Sequence, residues 1–92
     1  MLRITVIDTP AEQRGVLQGR LTEPWVSEVR SCWKKARAAR RGKTSVVDLN
    51  NVTFIDPAGE RLLKALMRMG VACVARGVYV KHVMEELRRR SA

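Results

Sequence analysis

This 92-residue chain has few aromatic residues, two cysteines and one histidine, and each shortage excludes a class of function. Aromatic residues make up 4% of the chain, which is too few for the stacking platform that usually binds single-stranded nucleic acid. The cysteines, Cys32 and Cys73, lie far apart in the sequence, and the single histidine, His82, completes no common zinc-ligand set with them. We therefore expect no metal and no cofactor, both cysteines as reduced thiols in the core, and His82 on the surface.

Long apolar runs and clustered glycines are also missing. No run approaches the roughly 18 apolar residues needed to cross a bilayer, so we expect no membrane insertion. Residues 1–8 end in an aspartate and show no small-residue cleavage site, which predicts a cytoplasmic protein. The scattered glycines form no phosphate-binding loop. What is present, 46% hydrophobic and 29% charged residues, is typical of a folded protein and predicts one domain over residues 1–92.

Positive charge is the most unusual property of the composition. The net charge is +9, and six of the eighteen basic residues lie between Lys34 and Lys43, with three more at positions 88–90. Such a field attracts nucleic acid, an anionic membrane surface or an acidic protein. Because aromatic residues are scarce, we interpret the basic face as solvated or adapted to a protein partner, and a nucleic-acid-binding domain stays as an alternative.

Strand and helix patterns alternate along the chain in the order β-β-α-β-α-β-α. We predict strands over residues 2–6, 15–21, 44–49 and 71–75, and helices between a Thr22 cap and Gly42, over 57–69, and from 78 onward. We interpret residues 8–14 and the pair Asn50-Asn51 as turns. Helices that alternate with strands indicate parallel crossovers, so we expect an α/β fold with a four-stranded mixed sheet and the first hairpin at one side.

The first predicted helix carries an apolar stripe that should lie on the sheet and leave a basic outer face. Its members recur at helical spacing: Trp25, Val26, Val29, Cys32, Trp33 and Ala36.

The segment VVDLNNVTFIDPAGERLL, residues 46–63, is the most informative part of the chain. Asp56 is a good N-cap whose carboxylate should accept from the amides of Ala58 and Gly59, with Pro57 at the first helical position. Gly59 is unexplained, because glycine inside a helix costs about 1 kcal/mol relative to alanine. Its bare backbone would let a strand or another protein approach closely.

An acid–base pair is the enzymatic alternative for this segment. Asp48 and Asp56 are the two carboxylates, but a strand end and a helix cap explain them better, and no nucleophile accompanies them. We therefore expect a docking surface and no enzyme.

The same residues, preceded by Gly19-Arg20-Leu21, resemble the STAS domain of bacterial anti-sigma factor antagonists. The resemblance implies a protein-binding module whose second helix docks on an anti-sigma kinase or a scaffold partner. In that family a phosphorylated serine just before the glycine switches docking off. Here that position is Ala58 and Pro57 precedes it, so the resemblance implies a module that lacks the usual switch.

Two functions follow from the resemblance. The first is a cytoplasmic regulator of transcription that binds an anti-sigma factor. The second is an accessory STAS subunit of a lipid-trafficking ABC transporter, in which docking onto the ATPase needs no switch. The sequence leaves the oligomeric state open.

The expected partner surface surrounds the start of the second helix, with Leu63 and Met67 either as half-exposed anchors or as core residues. Its candidates are Asn50, Asn51, Asp56, Pro57, Ala58, Gly59, Glu60, Arg61, Leu63, Lys64 and Met67.

Overall fold

A computed structural model describes residues 1–37 and 42–91 of the chain. Within these ranges the elements follow the predicted order: β1 Leu2–Asp8, β2 Glu12–Leu21, α1 Trp25–Arg37, β3 Thr44–Ile55, α2 Pro57–Arg68, β4 Ala72–Val74 and α3 Val78–Ser91. The chain between α1 and Gly42, which includes Arg40 and Arg41 of the basic cluster, lies outside the described residues.

The four strands form one mixed sheet in the order β1-β2-β3-β4. Strand β1 pairs with β2 antiparallel, whereas β2, β3 and β4 are mutually parallel. The predicted α/β architecture, with its hairpin at one side, is therefore confirmed. Since α1 and α2 each connect parallel neighbours, both helices run opposite to the strands and roughly parallel to each other.

Strand β2 begins earlier than the sequence indicated. The turn that we expected to extend to Arg14 is short, because Thr9 closes it with hydrogen bonds to the backbone of Glu12. Gln13 already pairs with both neighbouring strands. Its buried side chain donates from Nε2 to the carbonyl of Ala36 at 3.1 Å, which links the strand to α1.

The prediction of a turn at Asn50-Asn51 is wrong, because β3 continues through both residues. The register with β2 shifts twice, around residues 49–50 and at Thr53, so β3 contains two bulges. At the first bulge, Asp48 Oδ1 accepts from the amide of Asn50 at 3.0 Å. Each extra residue moves the side-chain alternation by one position. This is why the core residues of β3 that pack together follow irregular spacing: Val47, Leu49, Val52 and Ile55.

The hydrophobic core lies between the sheet and the three helices. Its buried members are Leu2, Leu17, Leu21, Val26, Val29, Val47, Leu49, Val52, Ile55, Leu62, Leu63, Leu66, Val71, Val80, Met84 and Leu87.

Helix α1 buries a narrower stripe than expected. Val26 and Val29 are buried and the two tryptophans pack partly against the core, but Cys32 is exposed. Successive helical residues rotate by about 100°, which puts Cys32 about 120° from Val26 and at the edge of the stripe. The prediction that Cys32 is a core thiol is therefore wrong. Cys73 is partly buried, and desolvation raises the pKa of its thiol to about 11.

Candidate functional site

The carboxylate of Asp56 fixes the start of α2 by accepting two hydrogen bonds. Its Oδ1 accepts from the amide of Gly59 at 2.7 Å, which is the N-cap bond. Its Oδ2 accepts from the amide of Glu23 at 3.2 Å, not from that of Ala58 as expected. The amide of Asp56 in turn donates to the carbonyl of Leu21 at 3.2 Å. The cap therefore also ties α2 to the connection between β2 and α1.

Gly59 is buried, and the structure gives the reason for its lack of a side chain. A Cβ at this position would lie 2.5 Å from the carbonyl oxygen of Leu21 and 2.9 Å from Cγ2 of Ile55. The close neighbour is thus strand β2, whose backbone cannot easily move aside. Gly59 is not available to a partner, which corrects its assignment to the docking surface.

The buried face of α2 also includes Leu63, for which the sequence left two roles open, a half-exposed anchor or a core residue. Gly59, Leu62, Leu63 and Leu66 are all buried and follow helical spacing. Leu63 is fully buried, so it is a core residue and not a half-exposed anchor. Met67 is partly buried and packs against the same core.

The outward residues of α2 converge on one hollow. Pro57, Glu60, Arg61 and Lys64 line it, and its volume is about 500 Å³ including the part open to solvent. Helix α3, which the sequence reasoning did not include in the site, completes the lining with two residues, Leu87 and Arg90.

One ion pair crosses this hollow. Arg90 Nη1 lies 3.9 Å from Glu60 Oε1, and both side chains are solvent-accessible. Such a long exposed pair contributes little to stability, so both groups stay available to a partner. The signal that could have indicated α3 is its basic C-terminal turn, which complements an acidic residue in the first turn of α2.

Ala58, the position at which the STAS resemblance implies a phosphoacceptor serine, follows Pro57 of this hollow in the chain. It is partly buried and packs against the core, whereas Pro57 is exposed.

Asn50 and Asn51 are exposed but lie apart from the hollow. Asn51 precedes Asp56 by five residues, and neither asparagine is among the residues that line the hollow. The structure therefore separates these two asparagines from the other candidate residues.

Two partly exposed aromatic side chains, Phe54 and Tyr79, lie at or contact the end of β3, and sequence reasoning did not include them in the site. Phe54 is 42% exposed, because the bulge at Thr53 changes its direction. The guanidinium of Arg20 lies 5.0 Å from the centre of its ring. Tyr79 is 43% exposed, and its hydroxyl accepts from the amide of Ile55 at 3.1 Å and donates to the carbonyl of the same residue at 3.4 Å.

The two aspartates considered as an acid–base pair have separate structural contacts. Asp48 Oδ2 accepts from Arg14 Nη1 at 3.1 Å, and Arg14 also contacts Glu12 at 3.0 Å. Asp56 is occupied as the cap of α2. His82 is exposed on α3, as predicted. Across residues 1–37 and 42–91, no group of three or more His, Cys, Asp or Glu side chains is placed to hold a metal ion. None of the helices in these ranges is both long and apolar enough to cross a membrane.

The architecture is a SpoIIAA-like, that is STAS-like, fold. The chain is similar to a solved structure with this fold, that of an uncharacterized protein of the DUF3478 family from Shewanella loihica PV-4. The TM-score is 0.50 at 17% sequence identity, over 83% of this chain and 68% of the other. No protein-family model and no curated protein sequence matches the chain. The resemblance based on residues 46–63 is thus confirmed at the level of the fold.

Proposed function

We propose that the protein is a non-catalytic binding module that regulates a protein partner by docking through the start of α2. The partner class is a kinase-like anti-sigma factor, and the protein acts in the cytoplasm. The observation that carries this proposal is the exposed hollow lined by Pro57, Glu60, Arg61 and Lys64, on a helix start whose backbone is fixed by Asp56. A fixed backbone lowers the entropy lost on binding.

Docking would be constitutive at this site. A phosphate near the hollow would add close to two negative charges and reverse the local complementarity. Ala58 and Pro57 carry no hydroxyl group that could accept it. The same absence supports the second candidate, an accessory subunit that docks on the ATPase of a lipid-trafficking ABC transporter without a switch.

The test is a binding titration with purified anti-sigma kinases and the transporter ATPase from the same organism. The variant Arg61→Glu/Lys64→Glu should weaken binding of the true partner at least about tenfold, because both charges face the contact. The control is Lys81→Glu, an exposed position on α3 that borders a different hollow beside Cys73. It should change the Kd by less than about twofold.

The partner that binds distinguishes the two candidates. Binding of the kinase, together with phosphorylation of the Ala58→Ser variant by it, supports the anti-sigma reading. Binding of the ATPase alone supports the transporter reading. Equal effects of the hollow and control variants would contradict docking through α2.

A further inference from the structure

A second hollow lies on the other side of α2, in the groove between α1 and the C-terminal half of α2. Its floor is apolar and includes Trp33, Ala65 and Met69, and its volume is about 530 Å³ including the part open to solvent. Met69 is 51% exposed, so about half of this apolar side chain is in contact with solvent. The groove therefore presents apolar surface that the described chain leaves open to solvent.

The rim of this groove on α1 is basic. Arg30, Lys34 and Arg37 line it at spacings of four and three residues, which places them in one row along the helix. Within residues 1–37 and 42–90, none of the three forms an ion pair. No acidic side chain is among the lining residues in the same ranges. The positive charge of this rim is thus not neutralised by the described part of the chain.

We propose that this groove binds an acidic amphipathic helix of a partner protein. The apolar face of that helix would lie on Trp33, Ala65 and Met69, and its carboxylates would pair with the α1 rim. This is the helix-in-groove mode of recognition, in which apolar anchors recur every three to four residues. The rim extends from Arg30 to Arg37, a rise of seven positions along α1 that spans about 10 Å or two helical turns, which matches the anchor spacing of such a partner.

The arrangement of charge favours a helix over other acidic ligands. A fatty acid carries a single carboxylate, whereas the rim offers three cations in a row. A flat anionic membrane would meet the rim but would not fill the groove between the two helices. A helix with acidic residues along one flank can place its apolar face on the floor of the groove and pair its carboxylates with the three cations of the rim.

The groove is independent of the proposed function. The docking hollow at the start of α2 lies on the α3 side, and its lining residues, which include Lys64 and Arg90, do not line the groove. Variants of the two surfaces can therefore be tested separately.

The probe is a fluorescently labelled synthetic helix of about 14 residues, four turns long, with leucines every three to four positions and glutamates along one flank. Fluorescence anisotropy gives its Kd for the full chain, and a scrambled peptide of the same composition is the reference. The variant Lys34→Glu/Arg37→Glu should weaken binding at least about tenfold, because two attractions become repulsions. The control is the single charge reversal Lys35→Glu, at an exposed neighbour on α1 that does not line the groove, and it should weaken binding by less than about threefold.

A third variant tests the floor without a change of charge. Ala65→Phe fills the groove and should weaken binding at least about tenfold, since it occupies the volume that the partner's apolar side chains need. Circular dichroism and thermal unfolding establish that each variant is folded. Lys64→Glu, in the other hollow, should leave peptide binding unchanged.

Two results would overturn the proposal. One is the absence of saturable binding, or equal binding of the scrambled peptide. The other is retention of phosphatidylglycerol vesicles or duplex DNA that falls in Lys34→Glu/Arg37→Glu but is unchanged in Ala65→Phe, with no preference for the ordered peptide. That pattern would assign the row to a polyanion that does not enter the groove.

Discussion

The two ends of α2 are both well capped but differ in what holds them. At the N-terminal end, Asp56 bonds to Gly59 and to the amide of Glu23, and Gly59 packs directly on Leu21. At the C-terminal end, the capping bonds stay local: Gly70 has a positive φ of 84°, and the amide of Val71 donates to the carbonyl of Leu66 at 3.0 Å.

This difference separates two kinds of binding surface. The N-terminal end offers groups whose backbone is tied to neighbouring elements, so its geometry is fixed before a partner arrives. The C-terminal end, beside the groove, offers the half-exposed Met69 and a row of cations without ion pairs among residues 1–37 and 42–90. The flexible side chain of Met69 can change its rotamer to fit a partner.

The largest expected effect compares Leu63 with Met69 on the same helix. Leu63→Ala should lower the free energy of unfolding by about 3 kcal/mol, because it leaves a cavity in the core. Met69→Ala should cost less than about 1 kcal/mol, because half of its side chain is already in water. Urea denaturation measures both, and a similar cost for the two variants would contradict the assignment of Leu63 to the core and Met69 to the surface.

The next effect compares glycines at the two ends. Gly59→Ala should cost about 2–3 kcal/mol, because its Cβ meets backbone at 2.5 Å. Gly70→Ala should cost about 1 kcal/mol, the strain of a left-handed backbone without any clash. Gly15→Ala is the control, since a Cβ there meets nothing within 4 Å. Thermal unfolding of the three variants gives the order, and a Gly59→Ala protein as stable as Gly15→Ala would exclude close packing on β2.

The smallest expected effect concerns the relative reactivity of the two cysteine thiols. Cys32 is exposed on α1, and Cys73 lies on β4, where burial raises its pKa from the ordinary value of 9.0 to about 11. At pH 8, iodoacetamide should therefore modify Cys32 well before Cys73, since the thiolate is the reactive form. Because the raised pKa belongs to the folded state, the stability linked to it is present below pH 9 and is lost as the pH rises towards 11. Mass spectrometry of the alkylated protein measures the order, and faster modification of Cys73 would contradict it.

The element order was predictable from the sequence because strand and helix periodicities differ strongly. The cap at Asp56 and the approximate end of the second helix were likewise predictable, since both depend on local chemistry. The alignment of Ala58 with the serine that the STAS resemblance implies followed from the motif alone.

The errors come from contacts that are distant in sequence. Asn50-Asn51 has the composition of a turn, but in the structure this segment pairs with β2 and forms a bulge within β3. A second bulge, at Thr53, turns Phe54 outward. Gly59 looked like an opening for a partner because the carbonyl of Leu21 that fills the space is nearly forty residues earlier. The contribution of α3 to the hollow depends on helix packing, which periodicity does not specify.

The central claim is that a partner docks on the start of α2. Nuclear magnetic resonance of the ¹⁵N-labelled chain, titrated with the partner identified by the binding experiment, tests it most directly. The account predicts that shift changes and line broadening centre on Glu60, Arg61 and Lys64 and extend to Arg90, across the hollow that these residues share. Changes confined to β1 and the face of the sheet away from the helices, with the α2 signals unmoved, would contradict it.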